Sequence, residues 1–507
     1  MGERSALEPQ SVPETIFFID RASRAGLQSQ IRETLVSAIL SGRLFPGARL
    51  PSTRRLADYL NISRITVTLA YQELASQGYL EAKGRSAFLV AGAPPLTGLE
   101  TSEPADGGTV DWQGKIRVSF SIAKPIRKPL DWRRYPFPFL YGQMDPTLFD
   151  LSAWRDCARR ALSREDFELM AGDFAAADDM QLVNYICTRT LPGRGISARP
   201  DEILVTVGAQ NALWLLIQLL LRPGSSAVCE NPCHPDLSAA LRLSGAEVTA
   251  IDVDRAGLPP QRLPPATDAV FVTPSHHAPT GATMPMQRRL ELLDDAEERD
   301  FVIVEDEYEF EMSFLKPPSP ALKSLDRNGR VLYVGSFSKS LFPGLRLGYL
   351  CAPAPVIREA RALRALMLRH PPGHLQRTVA YFLGLGHYDA VIHRMRMEYR
   401  KRHEVMAAAI RREGLTIAGA SDFGGSSFWI EGPEGLDANA LMHELRGEGV
   451  LIESGFPFFA YDDNPCRYFR MAYSSIPASH IAEGVARTAA HMKAMTARKA
   501  HARARPA

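Results

Sequence analysis

The sequence predicts a multidomain chain. An N-terminal winged helix-turn-helix precedes an α/β body, and a small α+β lobe closes the chain. Three observations carry this. A length of 507 residues exceeds what one hydrophobic core holds. Residues 21–90 contain ten Lys/Arg against four Asp/Glu, although the whole chain is only +2. Between 203 and 334, five short apolar runs alternate with helical patterns, as in a parallel sheet covered on both faces.

The composition, 45% hydrophobic and 23% charged, is that of a globular protein. The longest apolar runs, such as 212–221, are too short for a bilayer, so no membrane partner is expected. The start, MGERSALEPQSVPET, is polar and acidic, unlike a secretory signal. Met1-Gly2 is no myristoylation signal, because Ala6 stands where Ser or Thr is wanted. Six scattered cysteines (157, 187, 229, 233, 351, 466) argue for a reducing cytoplasm. Cys229 and Cys233 have no second pair at zinc spacing and read as small core residues, so no metal is expected.

In the basic segment, residues 27–40 form an amphipathic helix with Ile31, Leu35, Ala38 and Ile39 on one face. Ser41-Gly42 ends it. Ser52 or Thr53 caps a second helix carrying Leu56, Tyr59 and Leu60, and Asn61 breaks it. Ser63 caps a third, with Val67, Tyr71 and Leu74 inward. Two short strands then flank Lys83-Gly84-Arg85. A basic surface of this kind suits a polyanion, and the N-terminal end of the third helix is the part that enters a major groove.

From Ala91 to about Arg133 the pattern dissolves into Pro, Gly, Thr and acidic residues, and a flexible tether is expected. In the body the apolar runs are 203–207, 227–228, 269–272, 301–304 and 331–334. Ligands of such sheets gather beyond the carboxyl ends of the strands. There the chain places Gly208-Ala209-Gln210 at a helix start, which is a phosphate-binding arrangement. It also places ENPCHP at 230–235, TPSHHAPTG at 273–281, Glu305-Asp306-Glu307-Tyr308, and the stretch VLYVGSFSKSLFPGLRLG at 331–348. A lysine among small hydroxyl residues, followed by arginine, suits an anionic ligand with an amine-reactive carbonyl. Lys339 would form the Schiff base. Asp306 would pair with a pyridinium nitrogen, with Tyr308 on its side of the strand and Glu305 and Glu307 on the other. Pyridoxal 5'-phosphate is the cofactor that these groups fit.

Two resemblances follow from these motifs. SGRLFPGARLPSTRRLADYLNISRITVTLAYQELASQGYLEAKGRSAFLV resembles the DNA-binding domain of the GntR family almost without gaps. It implies operator DNA as partner, with Arg54, Ser63, Arg64, Thr66 and the wing residues Lys83, Gly84 and Arg85 as contacts. Arg54 would reach a phosphate or a guanine, Arg54 and Arg64 are the candidates to set specificity because arginine reads guanine bidentately, and Thr68 departs from a position often basic. The body resembles fold-type I aminotransferases, and the combination resembles the MocR/GabR family of transcription regulators over roughly 25–490. The resemblance implies Lys339 as the Schiff-base lysine and Asp306 as the pyridine partner. Ser336, Ser338 and Arg346 with Gly208, Ala209 and Gln210 would make the phosphate cup, and Arg470 would bind a ligand carboxylate.

Three positions depart from that pattern. His234 stands where a ring-stacking Tyr is usual. Ala278 replaces an aromatic or Asn, with His276 or His277 to fill the space. Ala171 replaces a Tyr before Gly172-Asp173. A wider or altered ligand pocket is expected.

The expected organisation is a winged-helix domain at 20–91, tether at 92–133, cofactor-binding domain at 134–385, small lobe at 386–492 and a disordered basic tail at 493–507. Residues 423–430 and 468–472 read as strands of the lobe, with Arg470 facing the cleft. The function expected is a cytoplasmic, pyridoxal-phosphate-dependent regulator. It would sense a small amino compound by aldimine exchange at Lys339, and the family resemblance implies a domain-swapped, head-to-tail homodimer. The alternative is an active aminotransferase with a fused DNA-binding head. An amino acid, γ-aminobutyrate, taurine or a diamino acid would each suit Lys339 plus Arg470.

Overall fold

The computed structural model describes residues 11–503, except 24, 85–86, 93–109, 118–123, 125, 127, 174–175, 421 and 461–465. The chain divides into two units, residues 1–117 and 118–507. Most of the expected tether lies outside the described residues. Within its described part, Trp112–Lys115 forms one helical turn capped by Asp111.

The first unit contains α1 (Leu27–Leu40), α2 (Thr53–Leu60), α3 (Arg64–Ser76), β1 (Leu80–Lys83) and β2 (Ala87–Val90). Ser52 and Ser63 are the N-caps of α2 and α3, and their hydroxyls accept from Arg55 N and Ile65 N. Asn61 ends α2 in the left-handed region, at φ 55°. Ile31, Leu35, Ala38, Leu56, Val67, Tyr71 and Leu74 form the core. Burial of each large side chain contributes about 1.5–3 kcal/mol. Tyr59 is not among them and is 52% exposed. The inward stripe of α2 is Thr53, Leu56, Ala57 and Leu60, spaced i, i+3, i+4, i+7, and Tyr59 falls outside it. β1 and β2 pair antiparallel with Lys83 opposite Ala87, and Gly84 follows β1 at φ +73°.

The second unit is built on a seven-stranded sheet. Its strands are β3 (Ile203–Thr206), β4 (Ser226–Asn231), β5 (Glu247–Asp252), β6 (Ala269–Val272), β7 (Val302–Glu307), β8 (Val331–Ser336) and β9 (Gly348–Cys351). Their order is β3-β9-β8-β7-β6-β4-β5. The expected all-parallel sheet is therefore a mixed one, because β9 runs antiparallel to both β3 and β8. β9 follows β8 after a short return through Arg346, and a return that short can only reverse the chain. β5 escaped the search for apolar runs because EVTAID is largely exposed. Both faces are covered. Val304, Leu332 and Val334 pack with Leu213 and Leu216 of α4 (Gly208–Leu220), whereas Ile303 and Val331 pack with Leu292 and Phe301.

A smaller antiparallel sheet comprises β10 (Thr416–Ile417), β11 (Ser427–Glu431), β12 (Glu453–Ser454) and β13 (Tyr468–Ala472), in the order β10-β11-β13-β12. β11 starts at Ser427 rather than near Phe423, because Gly424 and Gly425 take φ of +120° and +75°. In this sheet Glu453 faces Arg470 across the strand pair. The final helix, Ala478–Arg503, continues into the segment expected to be disordered. Its Ala, Met, Lys and Arg content favours helix.

Candidate functional site

At the carboxyl ends of β4, β6, β7 and β8 lies a cavity of 410 Å³. Lys339, Asp306, Tyr308, Ala209, Gln210, His234, Ser336, Ser338, Arg346 and Arg470 all line it, with Ala278. Asp306, Tyr308 and Ser336 sit on or next to a strand end of the large sheet; Arg470 comes from β13 of the small one.

One end is built to hold an anion. α4 begins at Gly208, whose φ of +75° suits glycine. Gly208 itself lies beneath Arg346, since a Cβ there would stand 3.3 Å from the guanidinium. Arg346 is held in the left-handed region at φ 50°, a conformation costly for a non-glycine residue. Its Nη2 donates to Gln210 Oε1 at 3.4 Å. Ser336 Oγ accepts from Ser338 N at 3.2 Å. Ser338 Oγ is buried and has no hydrogen-bond partner among the described residues. Asp236 also reaches this end and accepts from Gln210 Nε2 at 3.2 Å. His234 caps the following helix, its Nδ1 accepting from Asp236 N.

The middle is acidic and buried. Asp306 Oδ1 is likewise without a partner. Burial, then Glu307 and Glu230, push the Asp306 carboxyl up to about 7, against the pull of Lys339. A cation placed there would ionise it. Glu305 and Glu307 point to the opposite face, as strand alternation requires. Glu305 accepts from Leu322 N and Lys323 N, and Glu307 pairs with Arg194 at 2.6 Å. Tyr308 shares Asp306's side.

His276 and His277 do not line the cavity. His277 is buried behind it, with Nδ1 2.7 Å from Thr280 Oγ1 and Nε2 3.5 Å from Glu230 Oε2. His276 stacks on Phe423 at 5.3 Å. The space opposite Ala278 is thus left open to a ligand rather than filled by a histidine. Ala171 is exposed and does not line the cavity either.

The third side is cationic. Lys339 Nζ and the Arg470 guanidinium stand 4.4 and 4.0 Å from the centroid of the Tyr141 ring. Arg470 is buried, and its Nε donates to Glu453 Oε2 at 2.8 Å. Lys128 Nζ lies 3.3 Å from Glu453 Oε1 and also donates to the Tyr141 carbonyl. Burial and then Lys128 lower Lys339 to about 8, with Glu309 opposing and Arg470 assisting.

Sequence reasoning missed Tyr141, Glu453, Lys128, Glu309 and the inward role of Glu230. Tyr141-Gly142 closing the apolar run FPFLYG was the one local signal. Glycine suits position 142 through its φ of +68°, and a Cβ there would stand 2.7 Å from Lys339 Nζ.

Asp306 Oδ1 and Ser338 Oγ are buried acceptor and hydroxyl groups that the described residues leave unsatisfied. They face a cavity whose ends match a cationic ring nitrogen and a phosphate. The residues present therefore fit pyridoxal phosphate.

In the first unit, Arg54, Ser63, Arg64, Lys83 and Gly84 are exposed and Thr66 is half-buried. Arg85 lies outside the described residues. Arg64 Nε donates to Thr53 Oγ1 at 3.4 Å, and Ile65 beside it is 70% exposed. The start of α3 is thus a solvent-facing edge with a guanidinium and two hydroxyls.

Among the described residues no cluster of His, Cys, Asp and Glu could hold a metal. No described helix is long and apolar enough to cross a membrane.

Residues 27–90 match the model of bacterial regulatory proteins of the gntR family, and residues 175–487 match aminotransferase class I and II. The HTH-type transcriptional regulator TauR of Rhodobacter capsulatus is 51% identical over 94% of this chain and 99% of its own. The probable rhizopine catabolism regulatory protein MocR of Rhizobium meliloti is 31% identical, over 85% of this chain and 87% of its own. Among solved structures, LysN, an α-aminoadipate aminotransferase of Thermus thermophilus, is similar with a TM-score of 0.66 and 27% identity. The match covers 76% of this chain and 97% of LysN, which was solved with N-(5'-phosphopyridoxyl)-L-leucine.

Proposed function

This chain belongs to the MocR-type HTH transcriptional regulators, in which a gntR-family head precedes an aminotransferase class I and II body, and we propose that it binds pyridoxal phosphate and regulates transcription in response to an amino compound. One observation carries this reading. Lys339 opens onto a cavity in which Asp306 Oδ1 and Ser338 Oγ are buried and unsatisfied, in a chain that also carries a gntR-family head.

When bound, pyridoxal phosphate supplies an aldehyde that condenses reversibly with amines and a ring that withdraws electrons. The chain's own groups divide the remaining tasks. Asp306 would hold the proton on the ring nitrogen. Ser336, Ser338, Arg346 and the backbone N–H groups at Ala209 and Gln210 would hold the phosphate, with Gly208 leaving room for Arg346. His234 would lie against the ring and Tyr308 would donate to its oxygen. His277 supports Glu230 from behind. Lys339 would act as the resident amine, and an incoming amine would compete with it. Arg470 would meet the acid group of that compound.

The head would bind operator DNA through the start of α3 and the wing. Arg54 and Arg64 would read bases, Ser63, Thr66, Lys83 and Gly84 would meet phosphates, and Arg85 is kept with them. A homodimer with exchanged heads, acting in the cytoplasm, completes the reading.

The test is spectroscopic. Purified protein is mixed with pyridoxal phosphate, then with candidate amines, with and without a 2-oxo acid. A visible band that shifts with an amine, without turnover, supports the regulator. Sustained product formation would make the body an enzyme, and no band at all would remove the cofactor.

A further inference from the structure

Lys128 lies in the segment that follows the first unit in sequence, and the chemistry assigned to the cavity so far does not use it. Its ammonium is clamped on two sides, by the Tyr141 carbonyl and by Glu453 Oε1 at 3.3 Å. The same segment is tied to the small lobe: Phe137–Pro138 pairs in parallel with Val450–Leu451, and Phe139 N donates to Leu451 O at 2.8 Å. The clamp brings a second amine close to Lys339. A Cβ on Gly142 would stand 2.7 Å from Lys339 Nζ and 3.9 Å from Lys128 Nζ, so the two nitrogens flank one small residue.

Resting on the reading of Lys339 as the resident amine, we propose that Lys128 is a positioning residue for that chemistry: its ammonium, fixed by Tyr141 and Glu453 beside Gly142, disfavours a second positive charge at Lys339 and keeps that amine nucleophilic.

The charges around Lys339 support this. Arg470 and Lys128 are the cations on its side, and Glu453 serves both of them. Glu309, which Tyr141 approaches to 3.5 Å, and then Glu453 are the carboxyls that oppose the effect. Burial raises Glu309 to about 7, so near neutrality it is only partly charged. Asp306, Tyr308, His234, Glu230, Asp236 and Cys233, with Arg346 at the far end, are the further titratable and charged groups on the cavity wall. A lysine amine attacks carbonyls only when unprotonated, and a neighbouring cation in a desolvated site is an established way to keep it so. Lys128, in the segment that follows the first unit in sequence, is thus a near neighbour of the reactive lysine across Gly142.

The test measures Lys339 directly. Full-length protein is freed of cofactor by dialysis and labelled with acetic anhydride across a pH series. The peptide carrying Lys339 is then quantified by mass spectrometry. The wild-type half-labelling point is expected near pH 8, following the value to which Lys339 is lowered. In Lys128→Met it should move upward, with labelling near neutral pH reduced about tenfold, as a shift of one pH unit implies. Lys128→Arg should restore the wild-type profile. An unchanged profile in Lys128→Met overturns the proposal. So does a loss of labelling at every pH, or a failure of Lys128→Arg to rescue, because either marks a merely structural role. Absence of a visible band when pyridoxal phosphate is added to wild type would count against the cofactor reading alone, since the labelling profile needs no cofactor.

Discussion

Arg470 and Glu453 face each other across two strands of the small sheet, 2.8 Å apart and both buried to about 2% exposure. The arginine expected to receive a ligand's acid group therefore has a resident counter-ion. An acid group entering the cavity joins an ion pair and does not meet a bare cation. Lys128 on the other carboxylate oxygen leaves one positive charge in excess around Glu453. A monoanionic amino compound balances that excess.

Removing Glu453 should be costly. Glu453→Gln leaves two buried or half-buried cations without their partner, and a loss of about 3–5 kcal/mol is expected from thermal or urea unfolding. The sign with pH is definite. Burial raises the carboxyl, but Arg470 and then Lys128 hold it below the ordinary glutamate value. Its stabilisation is present above the unfolded value of about 4.3 and is lost as pH falls through the lower folded value. Wild type should lose stability over that acid interval, whereas Glu453→Gln should lose less. Parallel acid profiles would contradict the pairing.

Lys339→Ala should abolish the visible band of the loaded protein and leave operator binding measurable by fluorescence anisotropy. A retained band would show that another amine holds the cofactor. Loss of DNA binding in a folded variant would show that the head depends on the body's chemistry.

Asp306→Asn removes the one ionisable side chain on the cavity side of β7. The amide cannot neutralise a ring cation, so retention of pyridoxal phosphate in equilibrium dialysis should weaken at least about tenfold. Equal retention would assign Asp306 to packing.

In the head, Ser63→Ala deletes the N-cap of α3 and should cost about 1 kcal/mol of the first unit's stability. Arg64→Ala should reduce operator affinity by about tenfold at fixed salt and relax sequence preference. Lys83→Ala should weaken binding evenly across sequences and lower the salt slope by about 1. An unchanged footprint with Arg64→Ala would exclude Arg64 from base reading.

Much of this architecture was legible before any coordinates. The caps Ser52 and Ser63, the break at Asn61 and the helix bounds of the head follow from local chemistry, because capping and turn formation involve residues within three positions of each other. The burial of strands β6 and β8 follows from runs with no polar residue. The side of β7 on which Asp306 lies follows from the two-residue period of a strand, which is why Glu305 and Glu307 turned away as expected.

The rest depended on long-range contacts. β9 is not among the apolar runs of the sequence, because four residues beginning with glycine become a strand only between two partners. Tyr59 looked like core because a tyrosine in a helix carries apolar area, and the direction of the stripe decided against it. Glu453 and Lys128 carry no local mark at all. They are distant from Arg470 or Lys339 in sequence and meet them only because one sheet and one strap converge. What the sequence by itself determined was the pair of domain types and the placing of Lys339, Asp306, Ser336 and Ser338 at or just beyond the ends of two strands, each set by neighbours in the chain. What only the tertiary structure decided was the electrostatic setting of those groups, since charge acts through space and not along the sequence.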